Sequence, residues 1–492
     1  MVTDMIDPNA LWSFNTRTGL TLSEDRRMRL EKSHWEVLCA QPHSAVDSSN
    51  TVLDKVPDTI RRDLRLAGLE LRPETDVEAS DRLRLYSFAA LHGLIVDLFE
   101  IPGGILAAAN LGLPWSGGIR QVTVSGKGYS RSQALLGCLG EAVEISSWMY
   151  QALDECTLVA AGQASDIIPA EAVLGFSRRQ IQQRRRLNRM WDGWDAIPPP
   201  RQLHDPDRLA RVRDFAGSRT AMCPAFLCFG GFGDAVHGDN SLNADSNGCA
   251  AGSTIDAAMS RAVLELVERD ATGIWWWRGC RRRRFAPTGH DASLAAALTE
   301  HAIETGRRVW FLDISTFHSA HVAAAISCDG DGRRLAVGFA AAFDLQAAAK
   351  AAFLEMIQTE LAFDAHEMRV ATNGNAPMSA ADRRVAAWLE HANLDTMGFL
   401  SGSDPGSATQ TGQAGMLSRL MEEISSASGG NVWFADLQRP SFEVPVVKAI
   451  CVGLAHFKPR SGCKRLWMLP QQRGWQATYG RRDFERLMPL LV

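Results

Sequence analysis

Residues 246–271 read SNGCAAGSTIDAAMSRAVLELVERDA. Glycines and the capping-type residues Ser253 and Thr254 open the stretch, and a helix follows that is apolar almost all round except for Glu265 and Glu268. A helix of that kind is buried. Carboxylates on it are strongly disfavoured unless something positive neutralises them, so these two acids decide how the segment is read.

The pattern recurs on either side, in GKGYSRSQALLGCLGEAVE (Gly126 to Glu144) and VGFAAAFDLQAAAKAAFLEMIQ (Val337 to Gln358). In all three segments an alanine precedes a glutamate by seven positions: Ala134 and Glu141, Ala258 and Glu265, Ala348 and Glu355. Three positions later stands Glu144, Glu268 or Gln358. Seven residues is about two helical turns and three is about one, so each set shares a face, with the alanine permitting close approach. A single E-x-x-E is most often a solvated edge, but the flanks AVLELV and AAFLEMI are those of buried helices. Hard divalent cations neutralise such acids, and Mg2+ characteristically sits between a few carboxylates and the phosphates of a nucleotide. Glu141, Glu144, Glu265 and Glu268 are therefore expected to converge.

Neighbouring residues suit a phosphate. Lys127 lies in a Gly-Lys-Gly turn ahead of a helix N-terminus, which is otherwise read as an exposed turn. Arg269, one turn from Glu265, pairs that carboxylate or clamps a phosphate. Asn247 offers an amide to a metal or phosphate, or forms an Asx turn. Neither a GxxxxGK[ST] loop nor a kinase signature set is present, so nucleotide binding would need another architecture.

The 492 residues are 46% hydrophobic and 22% charged with a net charge of −4, a balance in which nothing suggests a polyanion as principal partner. The arginine runs Arg184 to Arg186 and Arg281 to Arg284 are read as solvated faces or phosphate-side decoration. With no apolar targeting segment at the start and no long apolar run, a cytoplasmic chain is expected, with no membrane partner. The ten cysteines lack disulfide or zinc spacing and read as free thiols; Cys249 is a packing residue and His237 a solvated one. Residues 1–85 are polar and helix-patterned, an interaction module. From there apolar, glycine-rich segments alternate with alanine-rich helices, which predicts α+β layering over 86–492. Residues 155–222 look like an excursion over the surface, and 370–415 carries a Gly/Ser-rich linker.

The stretch Ser246 to Ala271, with the GKG helix and the Glu355/Gln358 helix in the same order, resembles the signature of the YcaO proteins over residues 86–492. The late segment DLQRPSFEVPVVKAICVGL (Asp436 to Leu454) is similar to that family's late strand pair. The resemblance implies an α+β, YcaO-type fold of β-sheets with packed helices, preceded by the small mainly helical module. It places Lys127, Asn247, Arg269 and Gln358 on ATP, and Glu141, Glu144, Glu265, Glu268 and Glu355 on Mg2+. LGFSRRQIQQRRRLN (Leu174 to Asn188) and KRLWMLPQQRGW (Lys464 to Trp475) resemble the D-type cyclodehydratases, which convert Cys, Ser or Thr of a precursor peptide into thiazoline or oxazoline rings. Ser253, Ala257 and Ile145 replace the family's usual Asn, Glu and Arg, and only Pro489 stands where many relatives carry alternating prolines. Implied partners are a ribosomal precursor peptide, an E1-like or winged-helix leader-binding protein and a flavin dehydrogenase, in an oligomeric complex without nucleic acid. Peptide thioamidation and a non-catalytic scaffold are the other functions the resemblance leaves open.

Overall fold

The computed structural model describes residues 94–491 apart from 116–117, 161–165, 192–193, 201–202, 204–207, 239–244, 288–291, 374–376 and 404–415, together with scattered earlier positions. The expected module over 1–85 and most of the Gly/Ser linker lie outside the described residues. Within the former, Met28–Arg29 adds antiparallel to the first strand below.

An antiparallel meander comes first: β1 (Ile95–Ile101), β2 (Gly104–Trp115) and β3 (Gly118–Gly128). Helix α1 (Arg131–Trp148) packs on it, started by Ser130, whose hydroxyl accepts from the Gln133 N–H. Next come β4 (Val159–Ala160), β5 (Arg208–Arg213), β6 (Thr220–Pro224) and β7 (Cys249–Ala251). The stretch 246–271 leads from β7 into α2 (Ile255–Arg278), capped by Thr254 at its start and closed by left-handed Gly279. Beyond it, β8 (Arg283–Phe285), α3 (Ala292–Thr305), β9 (Arg308–Asp313), β10 (His321–Cys328) and β11 (Ala336–Ala342) build an antiparallel sheet ordered β11-β10-β9-β8. Helix α4 (Leu345–Asn373) lies on β10 and β11. Finally α5 (Met416–Ser428), β12 (Val432–Asp436), β13 (Val446–Cys451) and α6 (Lys464–Gln472) follow, and β12 and β13 complete a sheet ordered β4-β5-β12-β13-β7 with β6 on β5.

Strand alternation sorts the apolar residues into two cores. Leu106 and Ala108 of β2, Ala250 of β7 and Val447 and Ala449 of β13 face the core around α2 and α4. Ala107 and Ala109, Ala251, and Val446 and Ile450 face the core around α1. Two glycines set how closely helices approach strands. A Cβ on Gly126 of β3 would stand 2.1 Å from Ala134 O and Cys138 N of α1, and one on Gly338 of β11 would stand 2.1 Å from Met356 N of α4. Ala134, Ala258 and Ala348 are each fully buried, as the repeated Ala-to-Glu register requires.

Two expectations are corrected. Residues 155–222 are no mere surface excursion: they supply strands of the third sheet and bury Gln180, Leu187, Trp191 and Ile197, while Arg178, Arg179, Arg185, Arg186 and Arg189 stay exposed. The run Arg281 to Arg284 is a solvated face only in part, Arg281 and Arg283 being exposed and Arg282 and Arg284 half-buried. Arg281 donates to Gly402 O, Arg282 donates to Asp313 O and lies 3.7 Å over the Trp475 ring, and Arg284 donates to Ser401 O. Arg281 and Arg284 thereby tie the chain near residue 402 to the run. Among the described residues no helix is long and apolar enough to cross a membrane.

Candidate active site

Each acidic pair comes from one of the close-packed helices. Glu141 and Glu144 project from α1, Glu265 and Glu268 from α2, and Glu355 and Gln358 from α4, and all line one cavity of about 430 Å³ with Lys127 at the end of β3. Glu141 and Glu265, 124 positions apart in the sequence, are thus brought together, for no local reason other than the glycine and alanine contacts that dock each helix on its strand.

The cavity is held by a specific set of bonds. The Ser125 N–H donates to Glu141 Oε2 at 2.8 Å and the Gly248 N–H to Glu265 Oε2 at 3.0 Å. Lys127 Nζ donates to Gln358 Oε1 at 2.6 Å and pairs with Glu355 at 2.5 Å, while Gln358 Nε2 donates to Ser125 Oγ at 3.1 Å. Arg269 donates from Nη2 to Glu265 at 3.2 Å, holds Nη1 3.7 Å from Glu268, and lies 4.9 Å over the Phe457 ring. Burial raises the pKa of all four glutamates on α1 and α2, Glu268 to about 8 and Glu144 well above the usual carboxylate range. Glu265 and Glu141 add to the rise at Glu144, and Glu355 and Glu265 to that at Glu268.

Among the described residues, five carboxyl groups face only Lys127, Arg261 and Arg269 in this cavity, so acids outnumber the cations that could neutralise them. Arg261 is itself turned to Ala251 O. Among the described residues no three His, Cys, Asp or Glu side chains are gathered closely enough to form a metal cage. That spacing, with an all-oxygen donor set, fits Mg2+ shared with phosphates better than an all-protein site.

Asn247 is placed elsewhere. It lines a second cavity of about 340 Å³, which shares Arg269 with the first and is walled by Trp194, Phe226, Leu266, Lys448 and His456. Beneath lies an ion network that sequence reasoning missed. Arg460 pairs with Asp195 at 2.8 Å and Asp245 at 3.1 Å, and Lys458 reaches Asp245 at 3.2 Å. Burial alone would raise the Asp245 pKa, but Lys458, His456 and Arg460 hold it well below the usual range. Lys448 Nζ donates to the carbonyls of Asp245 and Asn247. Lys448 lay within the quoted late strand, and only its place as the single charge in an apolar β13 could have marked it. A larger cleft of about 1210 Å³ between α5 and α6 is lined by none of the repeated acids. Cys249 is buried in the wall of the first cavity with its thiol pKa pushed up by burial, then by Glu144, and His237 is exposed.

Residues 125–455 match the model of the YcaO cyclodehydratase family, described as ATP- and Mg2+-binding. No curated protein matches the chain. A solved heterocyclase in complex with substrate and cofactor is similar over 76% of this chain and 50% of its own, at 25% identity and a TM-score of 0.63. The heterocyclase TruD is similar over 72% of this chain and 50% of its own, at 23% identity and a TM-score of 0.59. YcaO from Methanopyrus kandleri, bound with AMPPCP and Mg2+, is similar over 79% of this chain and 93% of its own, at 18% identity and a TM-score of 0.54. The chain thus spans half the length of each of the two heterocyclases.

Proposed function

This chain belongs to the YcaO family, and on that premise we propose that it is an ATP-dependent cyclodehydratase forming thiazoline or oxazoline rings from Cys, Ser or Thr of a ribosomal precursor peptide. The observation that carries the reading is the convergence of five carboxylates from three buried helices on one cavity that also holds Lys127 and Gln358. In the reaction, the substrate thiol or hydroxyl adds to the preceding amide carbon and gives its proton to water. The former carbonyl oxygen then leaves with phosphate, and the amide nitrogen loses its proton as the C=N bond forms. Bound at this site, Mg2+·ATP supplies the phosphoryl group that makes that oxygen a leaving group.

The protein's own part is positioning and charge. Glu141, Glu144, Glu265, Glu268 and Glu355 would hold Mg2+ by oxygen ligands, releasing protons from those whose pKa burial has raised. Lys127, Gln358 and Arg269 would orient phosphate, Arg269 being fixed for that by Glu265 beneath it and Phe457 across its face. The unit doing this is residues 86–492; residues 1–85 would dock a leader-binding partner. A heterocyclase relative with its substrate and a microcin synthetase complex, McbBCD, support a peptide substrate and protein partners of this kind.

The test is calorimetric titration of AMPPCP with Mg2+ into the full chain and its Glu268→Ala variant. Tight binding by the former and at least about a tenfold loss in the latter are expected, with far-UV circular dichroism unchanged. Equal affinity in both would overturn the assignment.

A further inference from the structure

The second cavity has a surplus of hydrogen-bond donors facing the carboxylates. His456 Nδ1 accepts from the Lys458 N–H at 3.0 Å, so the neutral ring carries its proton on Nε2. Burial, with Arg460 adding to it, keeps the ring neutral by pushing its pKa down to about 4. Asp245 Oδ2 lies 3.5 Å from that Nε2, as an acceptor should. Asn247 Nδ2 stands 2.7 Å from it, and among the described residues Asn247 Oδ1 is buried without a partner. Two nitrogens that both carry hydrogen repel at that distance. A half-turn of the amide puts its oxygen on His456 and its NH2 where the unpartnered atom stands, satisfying the histidine and placing two N–H donors at that position. Among the described residues Arg269 Nε is buried without an acceptor, its other nitrogens being turned to Glu265 and Glu268. Asn247 is only 6% exposed, and leaving such buried donors unpaired is costly. Both residues line the same cavity, over a floor carrying Lys448, Lys458 and Arg460.

We infer that Asn247 and Arg269 form a hole for the carbonyl oxygen of the substrate amide under attack, on the side of Arg269 away from the carboxylates. The inference rests on the reading of the first cavity as the nucleotide site. As the nucleophile's electron pair forms the bond to carbon and its proton passes to water, the carbonyl π pair moves onto oxygen. The N–H groups of Asn247 and Arg269 meet that charge, and the neighbouring cations favour it. Trp194, Phe226 and Leu266 form the apolar wall for the flanking peptide. Arg269, common to both cavities, brings the oxygen beside the phosphates it is to meet. The substrate class is a peptide amide presented by its oxygen.

The experiment uses the full chain with Mg2+ and AMPPCP, and as probe the capped tripeptide acetyl-Gly-Cys-Gly-amide carrying carbon-13 in the carbonyl before cysteine. The wild type should move that resonance downfield. Asn247→Asp, which keeps the shape and the oxygen on His456 but removes both N–H groups, and Asn247→Ala should abolish the displacement. Phosphate release from ATP with the same tripeptide should fall about 10²-fold in both, with AMPPCP affinity changed less than about twofold. No displacement in the wild type at saturating tripeptide, or variants that lose AMPPCP affinity while keeping the displacement, would overturn the hole. A wild type that shifts the carbonyl yet does not bind AMPPCP would uphold the hole and overturn the nucleotide reading instead.

Discussion

Glu268 keeps its proton up to about pH 8 because its carboxyl is buried, with Glu355 and Glu265 strengthening the effect and Arg269 opposing it. A carboxyl whose folded pKa lies above its unfolded value contributes stability that is fully present below about pH 4.5 and is lost as pH rises through about 8. The nucleotide-free protein should therefore weaken over that window. Replacing Glu268 by Gln, which cannot ionise, should leave stability near pH 5 almost unchanged and raise it near pH 8.5 by roughly 1–3 kcal/mol, read from urea unfolding. A pH-independent difference between the two proteins would contradict this. The same carboxyl must ionise to take a cation, so AMPPCP binding with Mg2+ should release protons near neutral pH.

At the scale of elements, strand glycines fix the distance between α1 and β3 and between α4 and β11, and with it the position of each acid. Gly126→Ala should cost about 1–3 kcal/mol or more, since the new methyl meets main-chain atoms of α1 that cannot step aside. Gly140 lies inside α1, where a Cβ would meet nothing within 4 Å, and as alanine it should gain up to about 1 kcal/mol. Urea midpoints moving the same way in both would break the account. The acid helices were legible in the sequence because their evidence is local: a seven-residue register, glycine before it and apolar flanks. The wall of the second cavity was not. Asn247 meets His456 across 209 positions and Lys448 across 201, and no periodicity connects such residues before the strands have paired. The inward turn of Arg282 and Arg284 was hidden for the same reason, their partners lying 31 and 117 residues away.

On the scale of the whole molecule, two cores share β2, β7 and β13 as a common partition. Covalent continuity runs through that partition, whereas the buried pair of Asp270 with Arg465 at 2.9 Å ties α2 to α6 within one core. Glu141 and Glu144 belong to a helix of one core, and Glu265, Glu268 and Glu355 to helices of the other. Without a cation nothing bridges these facing acids, and those that lose their protons repel, so the boundary between the cores should be the place where the native state opens most readily, while each core stays closed. Amide hydrogens then report on occupancy: those of α1 around Glu141 and Glu144 and of α2 around Glu265 should exchange with deuterium fastest in the bare protein and slow together when Mg2+ and AMPPCP are added. The amides of α3 and β9, which carry none of the acids and belong to the core around α2 and α4, should keep their exchange rates, and uniform slowing across the chain would mean that the cores open as one cooperative unit.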